Sequence, residues 1–354
     1  MALGPEWGDS RVARWRVQLL TQREATINSD LEGVSGGMID WDIRGELRAG
    51  GNLDLKITTY TQSIDWARCR IRIEYVLTYQ GRTIVTPCGI YIPSAPKRDM
   101  SSAGSSIDLE FFDKSIILKQ DCLRSTKSFA KGSKITDALR WVITSTGETN
   151  VAITRSSMKF KRNRSYPAGT SKLEIVKKLL KDLNYFPLYN DNRGQFRCHP
   201  YVTPSRRGVA YQFRAGAASI HSAAWALDQD GFDVPNRVVC IGRKPTKGKP
   251  ITSVAEDTTS RWGKNARGRW ITKVVKDREE SSQKKMDATA KLLLRKAQAI
   301  HDRITIKHGF LPVLMNDIAE FSSQGYSGAF AWRTMRANLT PTGLAESTLE
   351  GVAI

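Results

Sequence analysis

The chain has 354 residues, 40% hydrophobic and 25% charged, which is too apolar for general disorder and long enough for two or three separate cores. Its 55 Lys and Arg against 35 Asp and Glu give a formal charge of +20, a field that attracts polyanions: nucleic acid, an acidic neighbouring protein or an anionic cell surface. No run approaches ~18 apolar residues and no basic start leads into an apolar stretch, so neither membrane insertion nor secretion is expected.

The first third is patterned as strands. Trp15, Val17 and Leu19 alternate with Arg14, Arg16 and Gln18, and Ile71, Ile73, Tyr75, Leu77 and Tyr79 alternate with Arg72, Glu74 and Thr78; a period of two places one face on a core and the other in water. Gln80-Gly81 then supplies a hairpin turn before Arg82 to Val85. Further strands are expected at Leu53 to Thr59, Gly89 to Ile92 and Ile107 to Phe111, with a loop from Ser94 to Ser106. Short strands at this spacing predict an antiparallel barrel or sandwich ending near residue 125.

From Gly132 the period changes. Ile135, Ala138, Leu139 and Val142 share one helical face, and a second helix carries Leu173, Val176, Leu179, Leu180 and Leu183. Ser171 and Glu174 have the spacing of a capping box, in which hydroxyl and carboxylate each satisfy a backbone N–H of the first turn. Asn184 to Pro187 stops this helix, and two short strands flank a turn at Asn190 to Gly194, giving a small α/β unit over 126–210.

The last part, 211–354, returns to β, with strands expected at Arg237 to Ile241, Trp270 to Val275, Ile304 to His308 and Ala329 to Ala337. One long amphipathic helix, about 282–301, interrupts it, with Met286, Ala290, Leu293, Leu294, Ala297 and Ile300 as its apolar stripe. The Gly-, Lys-, Thr- and Ser-rich segment from Lys244 to Arg269 reads as a long surface excursion.

Chemistry is sought and not found. A phosphate loop needs glycines that open backbone N–H groups to the anion, then Lys and a hydroxyl. Gly242 to Gly248-Lys249 has the wrong gap and ends in Pro250, while Gly263 to Gly268 continues as Arg269-Trp270. Gly325-Tyr-Ser327-Gly328-Ala329 is a poor match to a nucleophile elbow and is read as a hairpin turn. His199, His221, His301 and His308 form no metal-ligand spacing, and Cys198 next to His199 would point to the opposite strand face. Asp108 and Glu110 share a face that alternates with Ile107, Leu109 and Phe111, as expected for the wet side of a sheet.

Cys69, Cys88, Cys122, Cys198 and Cys240 lack any C-x-x-C pair and are read as small core thiols of a chain made in a reducing cytoplasm. The pattern Arg14-Trp15-Arg16 is read as a core tryptophan between solvated arginines. For Arg261-Trp262 and Arg269-Trp270 both a core role and base stacking stay open. No catalytic, cofactor-binding or metal-binding residue is therefore assigned, and three classes stand: a structural protein, a hydrolase and a basic nucleic-acid-binding module.

Four stretches narrow the choice: Gly132 to Ala138, Tyr166 to Glu174, Leu179 to Tyr189 and Gly194 to Val202. Together with Asp233 to Val239, the Gly268-Arg269 step and the Lys291 to Arg295 helix, they resemble, in that order, the tail hub or baseplate hub proteins of long-tailed bacteriophages. The resemblance is one of pattern, over roughly residues 35 to 345.

It implies an α+β, β-rich fold: two tail-tube-like antiparallel β-barrel domains (1–125 and 211–354, the second bearing the long helix) and a small α/β insert domain (126–210). It also implies a structural virion protein at the tail tip, not an enzyme, without cofactors. A homotrimeric ring would join the sixfold distal tail protein ring to threefold tip or fibre minor tail proteins, leaving a channel for the tape measure protein and for DNA in transit during ejection. A C-terminal peptidase or lysin extension, common among such proteins, is not expected, since the chain stops at Ile354. The excess positive charge does not follow from the resemblance; it is expected mostly on outer and inter-subunit faces.

Overall fold

The computed structural model describes residues 11–352 except 102–103, 217–218, 230, 243–249, 279–281, 299–301, 315 and 341–343. The candidate Gly248-Lys249, His301 and Ile300 lie outside the described residues.

The strands of both ends of the chain enter one large sheet. Its order runs His221–Asp228, Arg303–Gly309, Leu344–Gly351, Tyr326–Asn338, Val34–Asp42, Ala49–Lys56, Gly104–Asp113, Arg82–Pro93, Cys69–Tyr79, Arg11–Thr21 and Thr26–Asn28. The seam is the antiparallel pair Val34–Asp42 with Tyr326–Asn338, in which Met38 faces Asn338 and Asp42 faces Thr334. Two barrels were expected. Among the described residues the pairings instead follow one path with two free ends, because the seam spends on each other the edges that two closed barrels would have to close on themselves. Nor is it purely antiparallel: Val209–Arg214 joins Ile318–Ser323 in parallel.

The register obeys the alternation. Ile107, Leu109 and Phe111 are fully buried while Asp108 and Glu110 face water, and Gln80 and Gly81 both take left-handed φ (45° and 71°) in the turn between Cys69–Tyr79 and Arg82–Pro93, the geometry that a two-residue hairpin of this twist requires. The segment read as a loop from Ser94 to Ser106 contains the strand Lys97–Ser101, paired with Gly104–Asp113. Its charged Lys97-Arg98-Asp99 hides no apolar alternation, yet the backbone of an edge strand needs only one neighbour.

One hydrophobic core serves the whole sheet, from Val17 and Leu19 to Ala345 and Leu349. Phe310 sits at its centre, with its ring 5.0 Å from both Trp15 and Tyr75. Trp15 is thus a core residue, and its flanking arginines reach Asp30 and Glu74.

A second core belongs to the small α/β unit, where the helices Ile135–Thr144 and Lys172–Asp182 bury Leu139, Val142, Ile175, Val176 and Leu179. Tyr189–Asn190 and Phe196–Cys198 flank the turn as expected, and Val151–Ile153 adds a parallel neighbour. Ser171 is the N-cap but makes no capping box: its hydroxyl donates to Leu118 O, and Glu174 pairs with Lys178 instead.

The third core corrects the place of the long helix. Gln283–Gln298 buries Met286, Ala290 and Leu294 against Val238, Cys240 and Ala255 of a separate sheet of Thr252–Glu256, Arg237–Gly242 and Thr272–Arg278. This sheet and helix lie between His221–Asp228 and Arg303–Gly309, which pair with each other down to Asp228 opposite Arg303. They therefore form an arm inserted at one end of a hairpin of the large sheet. The excursion from Lys244 to Arg269 holds the strand Thr252–Glu256 and the short helix Lys264–Arg267 in its described part.

Candidate functional site

The residues weighed for chemistry are dispersed by the fold. Gly242 closes a buried strand end, and Gly263 and Gly268 bracket the single turn Lys264–Arg267, Gly268 with φ of 67°. Ser327 stands at the start of Tyr326–Asn338, just after the left-handed Gln324-Gly325 turn. His199 packs between Phe186 and Tyr189. His308 is buried, with Nδ1 donating to Gly309 O and Nε2 accepting from the Ser347 hydroxyl, which itself accepts from Trp332 Nε1. Burial holds this imidazole neutral and lowers its pKa to about 4.

Among the described residues no group of three or more His, Cys, Asp and Glu could hold a metal ion. Cys88, Cys198 and Cys240 are buried and unbridged, and desolvation pushes Cys198 up to about 12; Cys122 departs from the expectation of a core thiol by being exposed. A closed cavity of about 20 Å³ lies where Trp41, Arg48, Asp113, Tyr189 and Val313 converge, room for about one water.

What the fold builds with most care are its junctions. Lys114 is fully buried between Glu24 and Glu148, 2.5 and 2.6 Å away. Arg70 bridges the same two carboxylates, so two cations and two anions tie the large sheet to the α/β unit. Lys114 also donates to Gly194 O at 3.1 Å. Although desolvation alone would raise it, Glu148 has a lowered pKa, because Lys114 and Arg70 outweigh the burial. Beside this, the Asp113 carboxylate accepts from the backbone N–H of Arg48, Ala49 and Ser115 and from the Asn190 side chain. Across the seam, Arg336 meets Asp40, Arg333 meets Asp42, and Arg44 meets Glu350. No sequence signal marks these pairs, since a buried Lys114 has the same spelling as a solvated one.

The tryptophans left open, Trp262 and Trp270, belong to the arm. Arg237 lies 3.9 Å over the ring of Trp270, and Arg261 lies 4.6 Å over that of Trp262. Buried Asn236 fixes the loop by donating to Trp262 O and Arg269 O and accepting from Ile271 N–H. Both rings are half-buried and already carry cations, so the arrangement is one of packing as much as of display.

No protein-family model and no curated protein matches the sequence. Solved structures do. The tail protein from Neisseria meningitidis MC58 aligns over 95% of this chain and 96% of its own, with a TM-score of 0.68 at 11% identity. A 43 kDa tail protein of prophage MuSo2 from Shewanella oneidensis aligns over 94% and 98%, with a TM-score of 0.64 at 11% identity. A chain of the Francisella PdpA–VgrG complex aligns over 97% of this chain and 53% of that one, with a TM-score of 0.57 at 9% identity.

Proposed function

The chain has the fold of phage tail proteins, end to end, and from that premise we propose that it is a structural protein of a bacteriophage tail, the hub at the tail tip. Three copies form a ring that joins the sixfold tail tube and distal tail ring to threefold tip or fibre proteins, leaving a channel for the tape measure protein and for ejected DNA. In this reading 1–125 and 211–354 are the two tube-like units, each closing its curvature against neighbouring copies, 126–210 is the α/β insert, and the protein resides in the virion. Its work is done by surfaces and not by turnover.

The observation that carries the reading is the match over nearly the whole of this chain and of two whole tail proteins. The seam supports it: a β unit from each end of the chain, joined strand to strand between Val34–Asp42 and Tyr326–Asn338, gives one subunit two sheet units, and three subunits six. The partner printed for the Francisella neighbour, a VgrG complex, fits a protein that docks to other tail-like components. Cryo-electron microscopy of assembled tails tests it. Three copies around the axis at the tip are expected; six copies, or a location away from the tip, would overturn the hub assignment.

A further inference from the structure

The positive charge is unevenly placed. Residues 1–125 carry 16 Lys and Arg against 16 Asp and Glu, whereas 126–210 carry 17 against 5. More than half of the net +20 thus sits on the small α/β unit.

Within this region the cations divide into two sets. One set is consumed by carboxylates: Lys177 meets Glu46 of the large sheet at 2.9 Å, where Lys119 also arrives, and Lys172 and Lys178 meet Asp121 and Glu174. The other set, Lys131, Lys134, Lys159, Lys161 and Arg162, is exposed and has no carboxylate partner among the described residues.

The backbone gathers that second set. Gly132 N–H donates to Phe160 O, Phe160 N–H to Ser133 O and Ile135 N–H to Met158 O, so 132–135 and 158–160 run antiparallel, with Lys134 directly opposite Lys159. Residues directly opposite project to the same side, and like charges there oppose each other. Lys131 is held next to the following turn by its N–H to the Asn163 side chain. Four of the five are lysines, which protein–protein interfaces disfavour and phosphate backbones attract. Nearby Trp141, 38% exposed, has the Lys127 ammonium 4.1 Å over its ring.

We propose that this face, centred on Lys134 and Lys159, binds the phosphodiester backbone of DNA without reading its sequence. A phosphate bridging the Lys134 and Lys159 ammonium groups removes the repulsion that the fold itself leaves in place. A contact made only to phosphates lets the duplex slide, as a passage for DNA demands.

The test is fluorescence anisotropy of a labelled duplex titrated with the full chain across roughly 50 to 200 mM salt. A log–log salt slope near about −4 is expected, falling toward about −1 in Lys134→Gln/Lys159→Gln/Lys161→Gln/Arg162→Gln. The Arg-for-Lys version of the first three should restore it, which separates lost charge from lost folding. Removing four cations from the arm helix (Lys284, Lys291, Arg295 and Lys296, each to Gln) should leave the slope unchanged. Equal losses in both quadruple variants would overturn the proposal in favour of net charge alone. Retention of labelled poly-glutamate without duplex binding would overturn it in favour of an acidic protein partner. The copy number at the tail tip is read in a separate experiment, so failure of either idea leaves the other standing.

Discussion

The Lys114 ammonium lies 2.6 Å from the Glu148 carboxylate, with no solvent exposure, on the boundary between the large sheet and the small α/β unit. With Arg70 and Glu24 it completes a balanced set, two charges of each sign. Removing one member of such a set leaves another buried and uncompensated, at a cost of about 3–5 kcal/mol. Lys114→Met should therefore lower the urea midpoint by that amount. Limited proteolysis should then cleave between 114 and 126 first, as the α/β unit loosens from the sheet; an unchanged midpoint would mean that Arg70 compensates alone.

The same junction responds to acid. The pKa of Glu148 is lowered in the fold by Lys114 and Arg70, so the unfolded chain binds its proton more readily. Its contribution is present above the unfolded carboxylate pKa and is lost as pH falls below it. Hydrogen exchange of residues 147–150 should accelerate below about pH 4, and Glu148→Gln should show the fast exchange already at neutral pH.

His308 titrates in a different window. Its folded pKa is about 4, below the unfolded value, so its contribution is complete above pH ~6.5 and is lost as pH falls toward 4. Stability should drop by about 2 kcal/mol between pH 7 and 5 through this residue alone. His308→Gln should flatten that part of the urea-midpoint profile; a profile as steep as wild type would assign the slope to other groups.

Gly194 takes φ of 75°, and a Cβ there would lie 2.9 Å from the Ile90 side chain. Gly194→Ala combines a left-handed residue with an overpacked contact and should cost about 2–3 kcal/mol. Ile90→Val in the same chain should recover part of it, as thermal denaturation would show, because the clash is with side-chain carbons and not with backbone.

The arm has its own core, so damage to it should stay local. Leu294→Ala should destabilise the arm by about 2–5 kcal/mol. Amide exchange should rise in Arg237–Gly242 and Thr252–Glu256 while Ile107 and Leu109 keep their protection. Loss of protection throughout would show that the arm and the large sheet fold as one unit.

The period of two at Trp15 to Leu19 and Ile71 to Tyr79, the Gln80-Gly81 turn, and the helical stripes at Ile135 to Val142 and Met286 to Leu294 could all be read along the chain, because alternation and helical spacing are local properties. So could the poor matches at Gly242 to Lys249 and Gly325 to Ala329, which fail on spacing. What could not be read was pairing between distant residues. Val34–Asp42 contains three polar or glycine positions that blur its alternation, and its partner lies nearly 300 residues away; only burial of Ile39 and Trp41 against Trp332 and Met335 selects that neighbour. Likewise Met286, Ala290 and Leu294 announce a helix but not the surface it covers.

The amino-acid sequence by itself determined the β-rich composition, the hairpin turns, the helical segments and the excess of positive charge. Tertiary structure decided that the ends of the chain share one sheet, that the long helix belongs to an inserted arm, and that Lys114 is sealed among carboxylates while Lys134 and Lys159 face each other unpaired. The reason is physical: backbone periodicity follows from neighbours along the chain, whereas desolvation and charge pairing depend on which remote segments exclude water together.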